Sequence, residues 1–466
     1  IKPRRRFFLF CLFITPIANA TGSSFLTLES VLSSVDRCFP EVLAARYELG
    51  QAQGELITAQ GKFDPSLKTK TSTAPIGGYV TNYVNSEINV PTLKNGIRMF
   101  GGYRIGRGNF PVYYQNYWTN SSGEYRLGMA LPLLQGKSID KARAALFNQR
   151  EAVNIKVHNI HSKKIEVYRD AIVAYWQWVE AALKLKALQQ LLDLAQTRQE
   201  AIIKQVQQGD LARVAIAENE QLILQRQQMI NQGRMFLEQS AMNLALYSRD
   251  KQGKPQIPSL SQIPNQDTFL GFNQTSHEKI TNDQIRRHPN LSKINGHYKI
   301  AKMQLALARN DLLPNLDAMS YTSKQYGAVG QPLLVPQALR VGLHFYFPIY
   351  QREARGRIIS TKSELNRLHT QKNYLTDQLK QQAAYLQIAL KTFKQQIVVI
   401  THELSLAKQV EQAEVERFYQ GDSTLFLVNQ REQATMQALI NQIEVQASLQ
   451  QTVYLIRYFT IPEKLA

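Results

Sequence analysis

The stretch Leu386–Ala407, LQIALKTFKQQIVVITHELSLA, decides the fold. Its apolar positions Leu386, Leu390, Phe393, Ile397, Ile400, Leu404 and Ala407 are separated by 4, 3, 4, 3, 4 and 3 residues. That heptad spacing makes a seam for packing helix on helix, with left-handed supercoiling. The seam, which also takes in Leu379, sits inside Arg355–Gln420, a run with no proline and no glycine after Gly356. These 66 residues at ~1.5 Å each predict a rod of roughly 99 Å. No ordinary globular core needs a helix of that length.

Working outward, a second rod is predicted from Ser138 to Gln208. Its seam runs through Ile165, Tyr168, Ile172, Tyr175, Val179 and Ala182, then shifts by one short step to Leu185, Leu188, Leu192 and Ala195. Such a stammer overwinds a coil locally. Each rod ends at the same kind of reversal, Gln208-Gly209-Asp210-Leu211 and Gln420-Gly421-Asp422-Ser423. Glycine supplies the left-handed residue that stops a helix. The following aspartate is a candidate cap for a returning helix.

Upstream of each rod the apolar period changes to two. Ile97, Met99, Tyr103 and Ile105 alternate with Arg98 and Arg104 next to the turn pair Asn95-Gly96. Tyr125, Leu127, Met129 and Leu131 alternate with Glu124, Arg126, Gly128 and Ala130, and Leu339, Val341, Leu343, Phe345 and Phe347 with Arg340, Gly342, His344 and Tyr346. Strands of this pattern suit a membrane barrel, or one sheet of a soluble sandwich. Tyr113, Tyr114, Tyr117 and Trp118 lie between strands and form either an interfacial aromatic girdle or a loop cluster. Both strand regions close alike, at Leu131-Pro132-Leu133-Leu134-Gln135 and Phe347-Pro348-Ile349-Tyr350-Gln351.

Further upstream, Arg37, Pro40, Ala52, Leu56, Ala59, Pro65 and Leu67 recur 249 positions later as Arg286, Pro289, Ala301, Leu305, Ala308, Pro314 and Leu316. Each copy reads as a helix bracketed by two prolines. The chain therefore parses as a duplicated helix–strand–strand–long helix–helix unit. The first unit spans 21–250 (helix 28–62, strands 65–131, long helix 138–208, return helix 211–247). A polar linker follows at 251–282. The second unit spans 283–466 (helix 290–312, strands 315–348, long helix 355–420, return helix 423–459).

Residues 1–20 stand apart. Lys2, Arg4, Arg5 and Arg6 precede an apolar run, Phe7–Ile14, and Ala18-Asn19-Ala20 gives a small-x-small cleavage pattern. This is the signature of an export signal. No other apolar run reaches the length of a membrane helix, so an exported chain is either soluble or crosses a membrane as a barrel. The net charge of +19, or +15 without residues 1–20, is consistent with nucleic acid or with a surface or lumen that attracts anions. The export signal favours the second. Cys38 has no partner once Cys11 leaves with the signal.

The order, duplication and lengths of these elements resemble the TolC family of outer-membrane efflux proteins. The residues that carry the resemblance are the proline-bracketed helices, the Leu-Pro-Leu-Leu and Phe-Pro-Ile-Tyr junctions and the two Gly-Asp turns. It implies a mainly α protein with a membrane β-barrel. Four strands from each of three chains would make a twelve-stranded barrel, continued by a coiled-coil α-helical tunnel across the periplasm. It further implies a passive homotrimeric duct that contacts outer-membrane lipid and is gated at its periplasmic tip. Its partners would be a periplasmic adaptor and an inner-membrane pump, with no enzymatic activity, no cofactor and no nucleic acid. Gly209, Asp210, Gly421 and Asp422 match the adaptor-docking turns. The family's constriction aspartates fall here on Leu427 and Gln430, which departs from an acidic gate. Asp210 and Asp422, the nearest acids, either line the constriction or cap helices. Arg98, Arg104, Arg126 and Arg340 are expected to put positive charge in the barrel lumen, Arg104 equally well on an outer loop.

The alternatives are the outer component of type I protein secretion, and an exported coiled-coil scaffold or adhesin without a pore. A DNA-binding protein is disfavoured by the signal. His158 and His161, three apart on a helix, lack further ligands at metal spacing. Gly102–Gly108 lacks the Gly-Lys-Ser/Thr of a phosphate loop, and no hydrolase or zinc-protease motif is present.

Overall fold

The computed structural model describes residues 25–264, 269, 279–329 and 336–460. The expected signal segment and much of the linker lie outside the described residues. In chain order the elements are α1 (Leu28–Cys38), α2 (Pro40–Gln60), β1 (Ser66–Ala74), β2 (Thr81–Pro91), β3 (Arg98–Gly108), β4 (Glu124–Pro132), α3 (Lys141–Gln208), α4 (Val214–Ala245), α5 (Asn282–Arg286), α6 (Pro289–Asn310), β5 (Asn315–Gln325), β6 (Gln337–Tyr346), α7 (Arg352–Tyr419) and α8 (Leu425–Arg457). Short 3-10 turns lie at Gly61–Phe63, Val112–Tyr117 and Leu260–Gln262.

The helix expected over 28–62 is two helices. Phe39 is extended (φ −72°, ψ 126°) and Pro40 opens α2. A residue before proline is pushed out of the helical region, and proline itself fits the first helical turn. Pro289 opens α6 in the same way, and the ring nitrogen of His288 accepts the Asn290 N–H. Thr281 and Gln284 form a reciprocal capping box at α5. The two long helices, α3 and α7, each have 68 residues, about 102 Å at helical rise.

The six strands among the described residues form one antiparallel sheet in the order β1-β2-β3-β4-β5-β6. The expected count was four. β1 and β5 begin 249 residues apart (Ser66, Asn315), whereas the closing prolines of the two strand regions, Pro132 and Pro348, are 216 apart. The first strand region is longer by the difference, 33 residues, and it contains the hairpin β2–β3. Nothing between β5 and β6 corresponds to that hairpin among the described residues. Its turn carries Asn95 and Gly96 at φ 53° and 67°, the conformation that this pair favours. A Cβ on Gly96 would also stand 2.6 Å from the Gly136 carbonyl oxygen.

The chain divides into two compact units. One, comprising Val35–Ile172, Ser276–Gln395 and Leu449–Ala466, holds the sheet. Its helical core joins Ile280, Ile285, Leu291, Leu379, Ala383, Leu386, Ile456 and Phe459. Leu379 and Leu386 are the N-terminal end of the seam read from the sequence. The other, comprising Ile1–Ser34, Val173–Thr275 and Gln396–Ser448, holds both Gly-Asp turns. The chain just before the linker and one linker residue pack within it: Ser34 Oγ bonds both the N–H and the carbonyl of Arg249, and Phe269 meets Trp176 at a tilt. Among the described residues no helix is long and apolar enough to cross a membrane.

Candidate functional site

The sheet has two chemically distinct faces. The register places Leu67, Val84, Ile88, Met99, Ile105, Leu127, Met129, Leu131, Val341 and Leu343 on one of them. This face is exposed: Leu127 is 66% and Leu339 72% accessible. Exposed apolar patches of this kind mark a surface that meets a membrane or a partner. The opposite face carries Lys68, Lys70, Glu87, Arg98, Arg104, Glu124, Arg126, Asp317 and Arg340. All four arginines singled out in the sequence therefore share this face, Arg104 in strand β3 itself.

Most of that charge is matched. Arg104 is ion-paired with Glu124, both nearly buried. Arg126 donates to Asn85 Oδ1 at 2.6 Å and lies 3.7 Å from Glu87. Arg98 is 3.9 Å from Asp317. Arg340 lies over the Tyr321 ring, 5.9 Å from its centroid. The short 3-10 turn carrying Tyr113, Tyr114 and Tyr117 folds onto this charged face. Tyr117 meets Tyr83 edge-on at 4.6 Å, and the tyrosines wall a cavity of about 400 Å³ that Lys70 also lines. Of the two readings open for these aromatics, the loop cluster is the one observed.

The two tight turns have the same construction. Gly209 (φ 84°) and Gly421 (φ 85°) are left-handed. Gly209 N–H donates to the Val206 carbonyl and Asp210 N–H to that of Gln205; Gly421 and Asp422 repeat this with Phe418 and Arg417. These paired bonds satisfy the last carbonyls of α3 and α7 in a Schellman arrangement. Neither aspartate caps the returning helix. Arg213 occupies the cap position of α4 with no side-chain bond, and the Thr424 hydroxyl accepts the Leu427 N–H at α8. Asp210 and Asp422 are exposed. Ile202, Ala215 and Leu425 form one buried cluster with Val206, Leu211, Ile216 and Phe418 around it. Both turns are thus brought together by apolar contact. Leu427 is half-buried and Gln430 exposed, within two turns of the second reversal.

Next to them lies a group of residues that the sequence did not signal. Glu432 pairs with both Arg198 and Arg226. Arg226 also donates to the Leu191 carbonyl at 2.5 Å, and Arg198 to Asn429 Oδ1 at 2.7 Å. The side chains of Arg226 and Glu432 are each 3% accessible. Burial alone would raise the Glu432 carboxyl, but the hydrogen bonds and charges of the two guanidiniums outweigh it and hold it below the usual carboxylate range. Burial lowers Arg226. The cluster ties α3 and α4 to α8 through partners more than 200 positions apart.

His158 and His161 are both pushed below the ordinary imidazole value, first by burial and then by Lys299 and Lys164 respectively. Among the described residues, no group of three or more His, Cys, Asp or Glu could hold a metal ion.

No family model and no curated protein matches the sequence. Solved structures do. The CmeC outer membrane channel of Campylobacter jejuni is 13% identical and superposes with a TM-score of 0.64, over 93% of this chain and 85% of that one. The outer membrane protein VceC of Vibrio cholerae is 13% identical with a TM-score of 0.61, over 93% and 95%. The open-state MtrE outer membrane channel of Neisseria gonorrhoeae is 11% identical with a TM-score of 0.63, over 93% and 88%. The chain has the TolC-like fold of these channels.

Proposed function

We propose that three copies of this chain form the outer-membrane exit duct of a tripartite efflux or secretion system, with a periplasmic extension. The observation that carries the reading is the two-faced sheet: a largely apolar, exposed face, broken by threonines and by Arg107 and Lys324, behind a charged one. In water the apolar face is costly; against lipid it is what a barrel requires. A six-stranded sheet has two open edges, and a membrane tolerates none. Closure therefore takes further copies. Three copies contribute eighteen strands rather than the twelve expected from the sequence. The exposed apolar side chains of α7, among them Tyr374, Tyr385, Ile388, Val398 and Val399, support contact between copies along the helices.

The duct has no chemistry of its own. Gly209, Asp210, Gly421 and Asp422 form the tip that meets the adaptor, and the inner-membrane pump supplies the energy. Leu427 and Gln430 set the constriction, which opens when the helix pairs behind the turns move apart. Arg98, Arg104, Arg126 and Arg340 face the lumen. The test is conductance of the detergent-purified protein in a planar bilayer, together with imaging of the same particles. Threefold hollow particles that conduct are expected. A monomer that stays soluble without detergent and conducts nothing would overturn the reading.

A further inference from the structure

On the charged face, the interior strands and the edge strands differ. Each arginine that β3 and β4 place on this face has an acid within 4 Å: Arg98 with Asp317, Arg104 with Glu124, Arg126 with Glu87. The edge strands have no acid at all. β1 reads Ser66-Leu-Lys-Thr-Lys-Thr-Ser-Thr-Ala74, and β6 reads Gln337-Ala-Leu-Arg-Val-Gly-Leu-His-Phe-Tyr346. Their basic residues on this face are Lys68 and Lys70 on β1 and Arg340 on β6. Lys68 stands opposite Glu87 in register, but Glu87 is already engaged by Asn89 at 3.0 Å and by Arg126. Lys70 stands opposite the neutral Asn85. Six basic and three acidic groups on the face leave three positive charges per chain, and the surplus lies at the edges.

The strand count decides where that surplus goes. An up-and-down sheet with an even number of strands has antiparallel edges. The β6 edge of one copy can therefore pair with the β1 edge of the next in the same sense all the way round, a head-to-tail ring. Side-chain alternation keeps Lys68, Lys70 and Arg340 on a common face when the apolar faces are aligned. His344, directly opposite Asp317 in the sheet, is the only other titratable group that the edge strands bring to this face besides Tyr346.

We infer that the closed barrel is anion-selective, and that its selectivity filter is the basic seam between copies, formed by Lys68 and Lys70 of one copy and Arg340 of the next. The inference rests on the duct reading above. The ligand class is any small anion, inorganic or organic, drawn from solution by unneutralised ammonium and guanidinium groups. The paired arginines of the interior strands contribute little, because each is cancelled by its neighbour at short range.

The test is the reversal potential of the purified protein in a planar bilayer under a potassium chloride gradient. The wild type is expected to pass chloride about threefold or more over potassium, a modest bias for a wide, water-filled pore. The exposed-edge variant Lys68→Gln/Lys70→Gln/Arg340→Gln should lose that bias while still conducting. The charge-balanced exchange Arg104→Gln/Glu124→Gln should keep it, and Lys68→Arg/Lys70→Arg should keep it too. A conducting wild type without anion preference overturns the inference and leaves the duct intact. So does a preference that survives the triple substitution. Absence of any conductance sinks the duct reading and the inference with it.

Discussion

Glu432 offers the sharpest test of how the tip is held. Its carboxylate takes Arg198 and Arg226 together, and the Arg226–Glu432 pair is almost fully removed from water. Replacing Glu432 by glutamine keeps the volume and removes the charge. Two guanidiniums then share one neutral amide oxygen, and Arg226 keeps the Leu191 carbonyl with only the weaker charge of Glu411 to offset it. Breaking a buried pair from one side costs about 3–5 kcal/mol. At about 1.4 kcal/mol per factor of ten, local opening should become roughly 10²–10⁴ times more frequent. The assay is amide hydrogen exchange on the assembled protein, read in the last three turns of α3 and the first three of α8. Replacing both Arg226 and Glu432 by methionine should recover most of the protection, since an apolar pair of similar volume is often as stable as an ion pair. The pH dependence follows from the lowered carboxyl. The contribution is fully present above the ordinary value of 4.5 and is lost as the pH falls through the lowered one. Exchange in the glutamine variant within about threefold of wild type, a difference under about 0.7 kcal/mol, would refute the reasoning.

Gly209→Ala and Gly421→Ala should each cost about 1–2 kcal/mol, because both positions are left-handed and nothing within 4 Å of an added Cβ adds a clash. Faster exchange confined to the Schellman amides would show it. His288 is buried and its imidazole is lowered to about 4, first by burial and then by Lys293. The unfolded chain therefore takes up a proton that the folded chain refuses. Stability is full above about pH 6.5 and falls by about 3 kcal/mol as the pH drops toward 4. The slope of melting temperature against pH should flatten in His288→Gln. Gly128 faces Phe100 and Tyr321, and a Cβ there would meet the Tyr321 Cβ at 2.4 Å. Gly128→Val should therefore destabilise the sheet, measured as loss of the folded band in unheated detergent gels.

The long helices were legible because a heptad seam repeats over many turns and only packing explains it. Strands β3, β4 and β6 were legible for the parallel reason, a clean period of two. β1 and β2 were not. β1 has a single apolar residue on its outer face, Leu67, followed by Thr69, Thr71 and Thr73, while β2 interrupts Val84, Ile88 and Val90 with Asn82 and Ser86. Threonine and asparagine on that face weaken the alternation to the point where a loop explains it equally well, and the strand count came out two short. The Arg198–Arg226–Glu432 cluster was illegible for another reason. Charged residues on predicted helices are ordinarily solvated, and nothing local distinguishes Glu432 from Glu411 or Glu416. Pro40 marks the start of α2, and the apolar pattern on both sides of Phe39 hides the separate helix before it.

The equality of α3 and α7 suggests a constraint on length itself. The connectors before them differ: Lys141 comes nine residues after Pro132, and Arg352 four after Pro348. Yet each helix has 68 residues and each ends at a Schellman glycine. The apolar cluster of Ile202, Ala215 and Leu425 forms only if the two hairpins, α3–α4 and α7–α8, end at the same level. Gly233 faces Leu185 and Leu188, and Arg226 reaches Leu191, so Leu185–Leu191 and Gln227–Gly233 are matched heptads across the first hairpin. Deleting both keeps the seam in phase but retracts that turn by about 10 Å at helical rise. The Gln442–Thr401 bond marks the corresponding level in the second hairpin. Spin labels at the exposed positions 210 and 422 read the outcome. Deletion in one hairpin should displace their separation by about the length of the lost heptad and expose the cluster. Deletion of the level-matched heptads from both hairpins should restore it, because what matters is equality rather than length. An unchanged separation after the single deletion would mean that the turns are held by something other than the reach of the helices behind them.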